Sequence, residues 1–217
     1  MISTGKRTKK HLTKEKNKLW IMNLSILIPT VNGREAQFEK LYDFISSQIG
    51  KLPIEILHFK DNKQLSIGTK RNELYKMARG LFSVMIDDDD MVSPDYCQTI
   101  NEVIESNQMD CIGYFESCLI NGEKKKSVIS LKCKEWQSHE SPVNGFHFNR
   151  NPFFKVPIKT DICQKVGVKD MRYAEDHDFA IRIYPHLQKE YFIYKEMYFY
   201  SANSLTATEH KNRYGIK

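Results

Sequence analysis

The sequence predicts an α/β domain: a mainly parallel sheet with helices on both faces. Short apolar runs at 24–29, 54–59 and 81–86 have the length and branched character of buried strands. Between them, 34–49 and 69–79 repeat apolar residues at helical spacing, and such strand-helix alternation predicts parallel strands joined by crossover helices. Thr30, Asp61 and Asp87 stand at the carboxyl ends of the three runs, which is where ligands bind in sheets of this kind.

At 217 residues, 41% hydrophobic and 12% aromatic, the chain can bury one sizeable core and is short for two full domains. We therefore expect a single domain over 19–217 preceded by a tail at 1–18. In that tail Lys6, Arg7, Lys9, Lys10, Lys14, Lys16 and Lys18 face only Glu15, so it holds the whole net charge of +6. It has too few apolar residues to fold alone. Contact with a polyanion, nucleic acid or an anionic membrane surface, is one expected use, and a solubilising extension is the other. The apolar stretch after it is broken by Asn23 and Ser25, stopped by Pro29, and lacks a small-residue cleavage site. No run approaches the roughly 18 to 20 apolar residues of a membrane helix, so no transmembrane segment is expected. Five cysteines without a CxxC pair argue against a disulfide framework and fit a reducing cytoplasm.

The first strand ends in the turn Thr30-Val31-Asn32-Gly33. The helix after it, 34–49, places Phe38, Leu41, Phe44, Ile45 and Ile49 on one face, and Gly50 stops it. After the second strand, 69–79 reads as a helix capped by Gly80. Pro94 opens a helix carrying Tyr96, Ile100, Val103 and Ile104. Asn121-Gly122 between 109–120 and 126–131 predicts a hairpin. From 136 to 157 there is no clear period. A loop or short-strand region over the site is expected there, with Trp136, Phe146, Phe148, Phe153 and Phe154 available either to stack on a sugar or base or to pack. Finally Ala180, Ile183, Tyr184 and Leu187 share a helical face, which puts Glu175 and Asp176 in a first turn.

The third strand runs into four consecutive carboxylates, Asp87 to Asp90. These cannot all be ionised side by side without positive charge to offset their repulsion. A hard divalent cation, Mg²⁺ or Mn²⁺, is the economical answer, and such ions complete their shell with phosphate oxygens, which points to a diphosphate partner. A solvated acidic loop is the plainer reading. Near a bound metal diphosphate, Asp176 becomes a candidate general base; otherwise acids in a first turn simply suit the helix dipole.

Three stretches together resemble the inverting family 2 glycosyltransferases with the GT-A fold: LSILIPTVNGRE, GTKRNELYKMARGLFSVMIDDDDMVSP and AEDHDFAIRI. The resemblance covers about residues 23 to 206 in the family's order. It implies a GT-A (nucleotide-diphospho-sugar transferase-like) fold and a nucleoside diphosphate sugar donor, with uridine as the implied base. Carried over, Asp61 contacts the nucleobase and Asp88 the ribose. Asp87 and Asp89 form the metal pair for Mn²⁺ or Mg²⁺, and Asp176, next to Glu175, is the base that deprotonates the acceptor hydroxyl. Thr30, Asn32 and Arg34 fall in the donor loop, and Arg71 and Asn72 in the donor-side helix. The chain departs from the family at Lys60, where a second acid is common, at Asn62 in place of a common Gly, and at Ser201, where many members have a metal-ligating His; His210 comes later.

The reading is therefore a metal-dependent transferase that moves one sugar to a hydroxyl on a glycan or a modified nucleic acid. Two rival classes use the same residues: a nucleic-acid-binding module acting through the tail, and a metal-dependent phosphotransferase or nuclease that attacks phosphorus.

Overall fold

The structure, a computed structural model, describes residues 22–202. The tail at 1–18 and His210 lie outside the described residues. Along the chain run β1 (Leu24–Val31), α1 (Glu35–Ile49), β2 (Ile54–Asp61), α2 (Ile67–Met77), β3 (Phe82–Met85), β4 (Met91–Val92), α3 (Tyr96–Ser106), β5 (Cys111–Ile120) and β6 (Glu123–Ile129). There follow β7 (Gln137–Val143), β8 (Phe146–Arg150), β9 (Ile158–Lys159), α4 (Thr160–Val166), α5 (Glu175–Ile183), a 3₁₀ turn at Tyr184–His186 and β10 (Glu190–Ala202).

β1 is buried from Leu24 to Thr30. A strand covered on both faces reads as an unbroken apolar run, which is why it stands out in the sequence. β2 pairs with it in parallel from Leu24↔Ile54 to Val31↔Asp61, and β3 pairs in parallel on its other side from Leu24↔Phe82. The chain thus steps one way from β1 to β2 and the other way to β3. Right-handed crossovers then put α1 and α2 on opposite faces. α1 packs against α3, while α2, α4 and α5 pack in succession.

Past β3 the sheet becomes mixed. The two-residue β9 lies antiparallel between β3 and β5, and the order continues β6, β8, β7. β10 runs parallel to β5 and reaches across to pair antiparallel with β4. No helix among the described residues is long and apolar enough to cross a membrane.

The expected hairpin is present: Ile120 pairs with Glu123 around Asn121 (φ 54°) and Gly122 (φ 80°), the left-handed pair that a two-residue turn needs. A second turn of the same kind, Asn144 (φ 51°) and Gly145 (φ 85°), joins β7 to β8 inside the stretch that showed no period. β7 is almost wholly exposed, so it carries no apolar alternation to read. β10 was equally hidden, because register shifts between Ile193 and Glu196 and between Glu196 and Tyr198 break the period of two.

The second helix differs from expectation at both ends. It begins at Ile67 behind Ser66, whose hydroxyl accepts the Thr69 N–H at 3.0 Å, and it ends at Ala78 without using Gly80 as a cap. Gly80 instead allows close approach to β1: a Cβ there would stand 2.5 Å from Ser25 N and 2.6 Å from Leu24 C. Gly68 does the same for the segment that leads into α5. Its N–H donates to the Met171 carbonyl at 3.0 Å, and an added Cβ would lie 1.9 Å from the Lys169 carbonyl oxygen. Gly68→Ala should lower unfolding free energy by about 1–3 kcal/mol through overpacking. Chemical denaturation reads this directly, and an unchanged midpoint would show that the 169–171 segment yields freely.

Candidate active site

The acidic tetrad forms a tight turn at the end of β3, with the Asp90 N–H donating to the Asp87 carbonyl at 3.0 Å. Its four side chains go to different partners. Arg34, just before α1, meets Asp88 Oδ1 at 2.9 Å and Asp89 Oδ2 at 2.5 Å through Nη2. Thr30 at the end of β1 donates its hydroxyl to Asp88 Oδ2 at 2.6 Å. Arg71 on α2 reaches Asp87 Oδ1 at 2.9 Å and, through Nε, Glu175 Oε1 at 3.3 Å, with its guanidinium 3.9 Å over the Phe154 ring. Asp90 turns inward, accepts from the Tyr198 hydroxyl at 2.7 Å and faces Lys155 Nζ at 3.3 Å; its Oδ1 has no hydrogen-bond partner.

The positive charge that the sequence argument requires is supplied within the chain. The repulsion among the four carboxylates is already offset by Arg34, Arg71 and Lys155, so repulsion alone does not require a divalent ion. What bears on a metal is exposure. The side chains of Asp88 and Asp90 are buried, whereas Asp87 and Asp89 are 27% and 50% exposed. Two outward carboxylates suit a hard ion that takes few protein ligands. Among the described residues no group of three or more His, Cys, Asp or Glu is placed to hold a metal.

Burial raises the Asp88 carboxyl against the pull of Thr30 and Arg34. Burial also pushes Asp90 up to about 7, against Lys155 and Tyr198. For Lys155 burial acts downward, but Asp90, Glu116 and Asp87 outweigh it and hold the ammonium above its ordinary value.

Asp61 ends β2 beside the same edge. Lys70 on α2 bridges its Oδ1 at 2.9 Å to the Thr30 carbonyl at 3.2 Å. Burial works to raise the Asp61 carboxyl, but the Leu65 N–H and Lys70 outweigh it and lower it. Asn32 sits in the exposed turn after β1, its N–H donating to the Asp61 carbonyl at 2.9 Å. Asn72 is not brought to this edge. Its Oδ1 accepts instead from the Val168 N–H at 3.1 Å.

Ala174 takes the left-handed conformation (φ 58°, ψ 20°) and turns the chain into α5. Glu175 is buried and aimed at Arg71; burial raises its carboxyl and Arg71 opposes this. Asp176 is partly exposed, and its Oδ1 accepts the His177 N–H at 2.8 Å. Arg71 therefore ties the Asp87 turn to the first turn of α5.

Of the five aromatics left open to stack or to pack, Phe153 and Phe154 are core residues, 4% and 1% exposed, and pack. Phe146 packs on Phe115 at 5.2 Å. Trp136 and Phe148 flank the Arg150 guanidinium at 4.8 and 5.0 Å.

Sequence reasoning missed Lys70, Lys155, Tyr198 and Arg150. A signal existed for the first: Lys70 and Arg71 precede Leu74 and Tyr75 by four residues, so two cations occupy the buried face of α2.

This architecture, a β2-β1-β3 parallel unit with an acidic turn at the carboxyl end of β3 and a mixed sheet beyond it, is a GT-A-like fold. No family model matches the chain, and neither does any curated protein. Solved structures do. The crystal structure of S. aureus TarS 1-349 matches at TM-score 0.59 with 17% identity over 83% of this chain and 60% of that one. Its complex with UDP matches at TM-score 0.59 with 16% identity over 87% and 63%, and its complex with UDP-GlcNAc at 0.59 with 16% over 83% and 59%. The chain thus spans about three fifths of these neighbours, and at this identity the likeness is one of fold.

Proposed function

We propose that this chain is an inverting, metal-dependent glycosyltransferase that moves a sugar from a nucleoside diphosphate donor, a UDP-sugar, to an acceptor hydroxyl. The observation that carries the reading is one shared edge: Thr30, Asp61 and the Asp87 turn at three parallel strand ends, joined through Arg71 to the turn that bears Asp176. The neighbours' complexes with UDP and UDP-GlcNAc support the choice of donor. The thiols of all five cysteines are free, which accords with a cytoplasmic setting.

In this reading Asp61, fixed by Lys70, takes the uracil ring, and Asp88, fixed by Thr30 and Arg34, takes the ribose hydroxyls. A Mn²⁺ or Mg²⁺ ion held by Asp87 and Asp89 would supply charge neutralisation at the diphosphate. Asp176 removes the proton from the acceptor hydroxyl as its oxygen attacks the anomeric carbon. The bond to the diphosphate breaks on the opposite face, UDP leaves, and configuration inverts.

Incubation of the protein with a UDP-sugar and Mn²⁺ separates the reaction classes. Free UDP is the expected product. UMP would instead mark attack at phosphorus, and an untouched donor would leave a binding module. Asp89→Asn keeps the shape of the turn but removes ligand charge, so Mn²⁺-dependent UDP affinity should fall roughly tenfold or more, as expected for loss of a charged contact. Equal calorimetric affinity with Mn²⁺ and with chelator in the unsubstituted protein would refute the metal assignment.

A further inference from the structure

Arg150, partly buried at the end of β8, differs from the buried cations. Lys70, Arg71 and Lys155 each meet a carboxylate within 3.1 Å. Arg150 instead spends Nη1 on the carbonyls of Gln137 at 2.5 Å and Asn149 at 3.0 Å, and Nη2 on the Ser138 hydroxyl at 3.1 Å. No carboxylate among the described residues forms an ion pair with it. Burial accordingly lowers its pKa, and the more distant Glu116 and Asp176 do not restore it.

The position of this uncompensated charge is informative. The guanidinium lies over Trp136, whose ring is 5.1 Å from that of His177, the neighbour of Asp176. The next residue, Asn151, donates to the Ala180 carbonyl at 2.8 Å and ties the strand end to α5. The Trp136 indole N–H also has no acceptor. Beside the candidate base there thus stand a guanidinium whose charge no carboxylate meets and an indole N–H without an acceptor.

We infer that Arg150 is the anion-recognising residue of the acceptor subsite, so that the hydroxyl delivered to Asp176 belongs to a molecule carrying a phosphate or carboxylate. The inference rests on the reading of Asp176 as the base. A partly buried guanidinium gains most from a charged acceptor in its fork, and a neutral acceptor would leave its charge uncompensated.

The chain holds two tryptophans, so Trp20→Phe leaves Trp136 as the single indole reporter beside Arg150. Titration of that protein with glycerol 3-phosphate, glycerate and glycerol at constant ionic strength should give a saturable emission change with an anion and none with glycerol. Which anion binds more tightly distinguishes phosphate from carboxylate. Arg150→Gln should weaken binding roughly tenfold or more, and Arg150→Lys less, since charge without the planar fork is retained. No saturable change with either anion, or equal affinity in the Gln and unsubstituted proteins at unchanged circular dichroism, overturns the inference. So does competition by UDP with Mn²⁺ present, which would assign Arg150 to the donor. UDP affinity measured separately by calorimetry tests the donor site alone, so failure of the transferase reading is seen apart from failure of the anion subsite.

Discussion

Asp176→Asn is expected to lower sugar transfer by roughly 10²-fold to 10⁴-fold while leaving UDP-sugar affinity nearly unchanged, the usual contribution of one positioned base. The geometry explains the separation. Asp176 is partly exposed and, among the described residues, its side chain bonds to the backbone next to it, whereas the residues read as holding the donor are tied together through Arg34, Lys70 and Arg71. The substitution keeps volume and can keep the N-terminal turn of α5, so the fold is not at stake. Initial rates at saturating donor, set against calorimetric donor affinity, decide the matter. Transfer at the unsubstituted rate would move the base elsewhere. Glu175 is the poorer substitute, since it is buried against Arg71, and Asp178 is held by Lys169 at 2.6 Å and Arg182 at 2.7 Å.

The second large effect is on stability. Lys155→Met is expected to cost about 3–5 kcal/mol of unfolding free energy, the range for breaking a buried ion pair from one side. Lys155 lies between Asp90 at 3.3 Å and Glu116 at 3.1 Å and covers the rings of Tyr198 and Tyr200 at 4.6 and 4.0 Å. One ammonium thus joins the acidic turn, β5 and β10. Its loss strands two buried carboxylates. Adding Asp90→Asn and Glu116→Gln to Lys155→Met removes those charges and should recover much of the loss, because the uncompensated charge, not the missing methylenes, dominates the cost. Denaturant titration of the single and triple variants tests this; a triple variant as unstable as the single would mean that packing on the tyrosines is the main contribution.

The sequence by itself determined the parallel half of this molecule and the chemistry at its edge. β1 and β3 are covered on both faces, so burial alone forces an uninterrupted apolar run that can be read without knowing its neighbours. Asn121-Gly122 declares its turn through backbone freedom, and the apolar period that begins with Ala180 and Ile183 declares α5; both are local properties. The tetrad was visible as a run of charge, but its meaning was not. Only the tertiary structure decided that Asp87 and Asp89 face outward while Asp88 and Asp90 are buried, and that Arg34, Arg71 and Lys155 supply the opposing charge. Those partners come from different elements, as with Tyr198 and Asp90, which bond across 108 residues. A side chain's sign is written in the sequence, but the dielectric around it and the charge opposite it exist only once the strands are packed. For the same reason Arg150 looked like any other arginine until folding placed it beside Trp136 without a carboxylate to meet it.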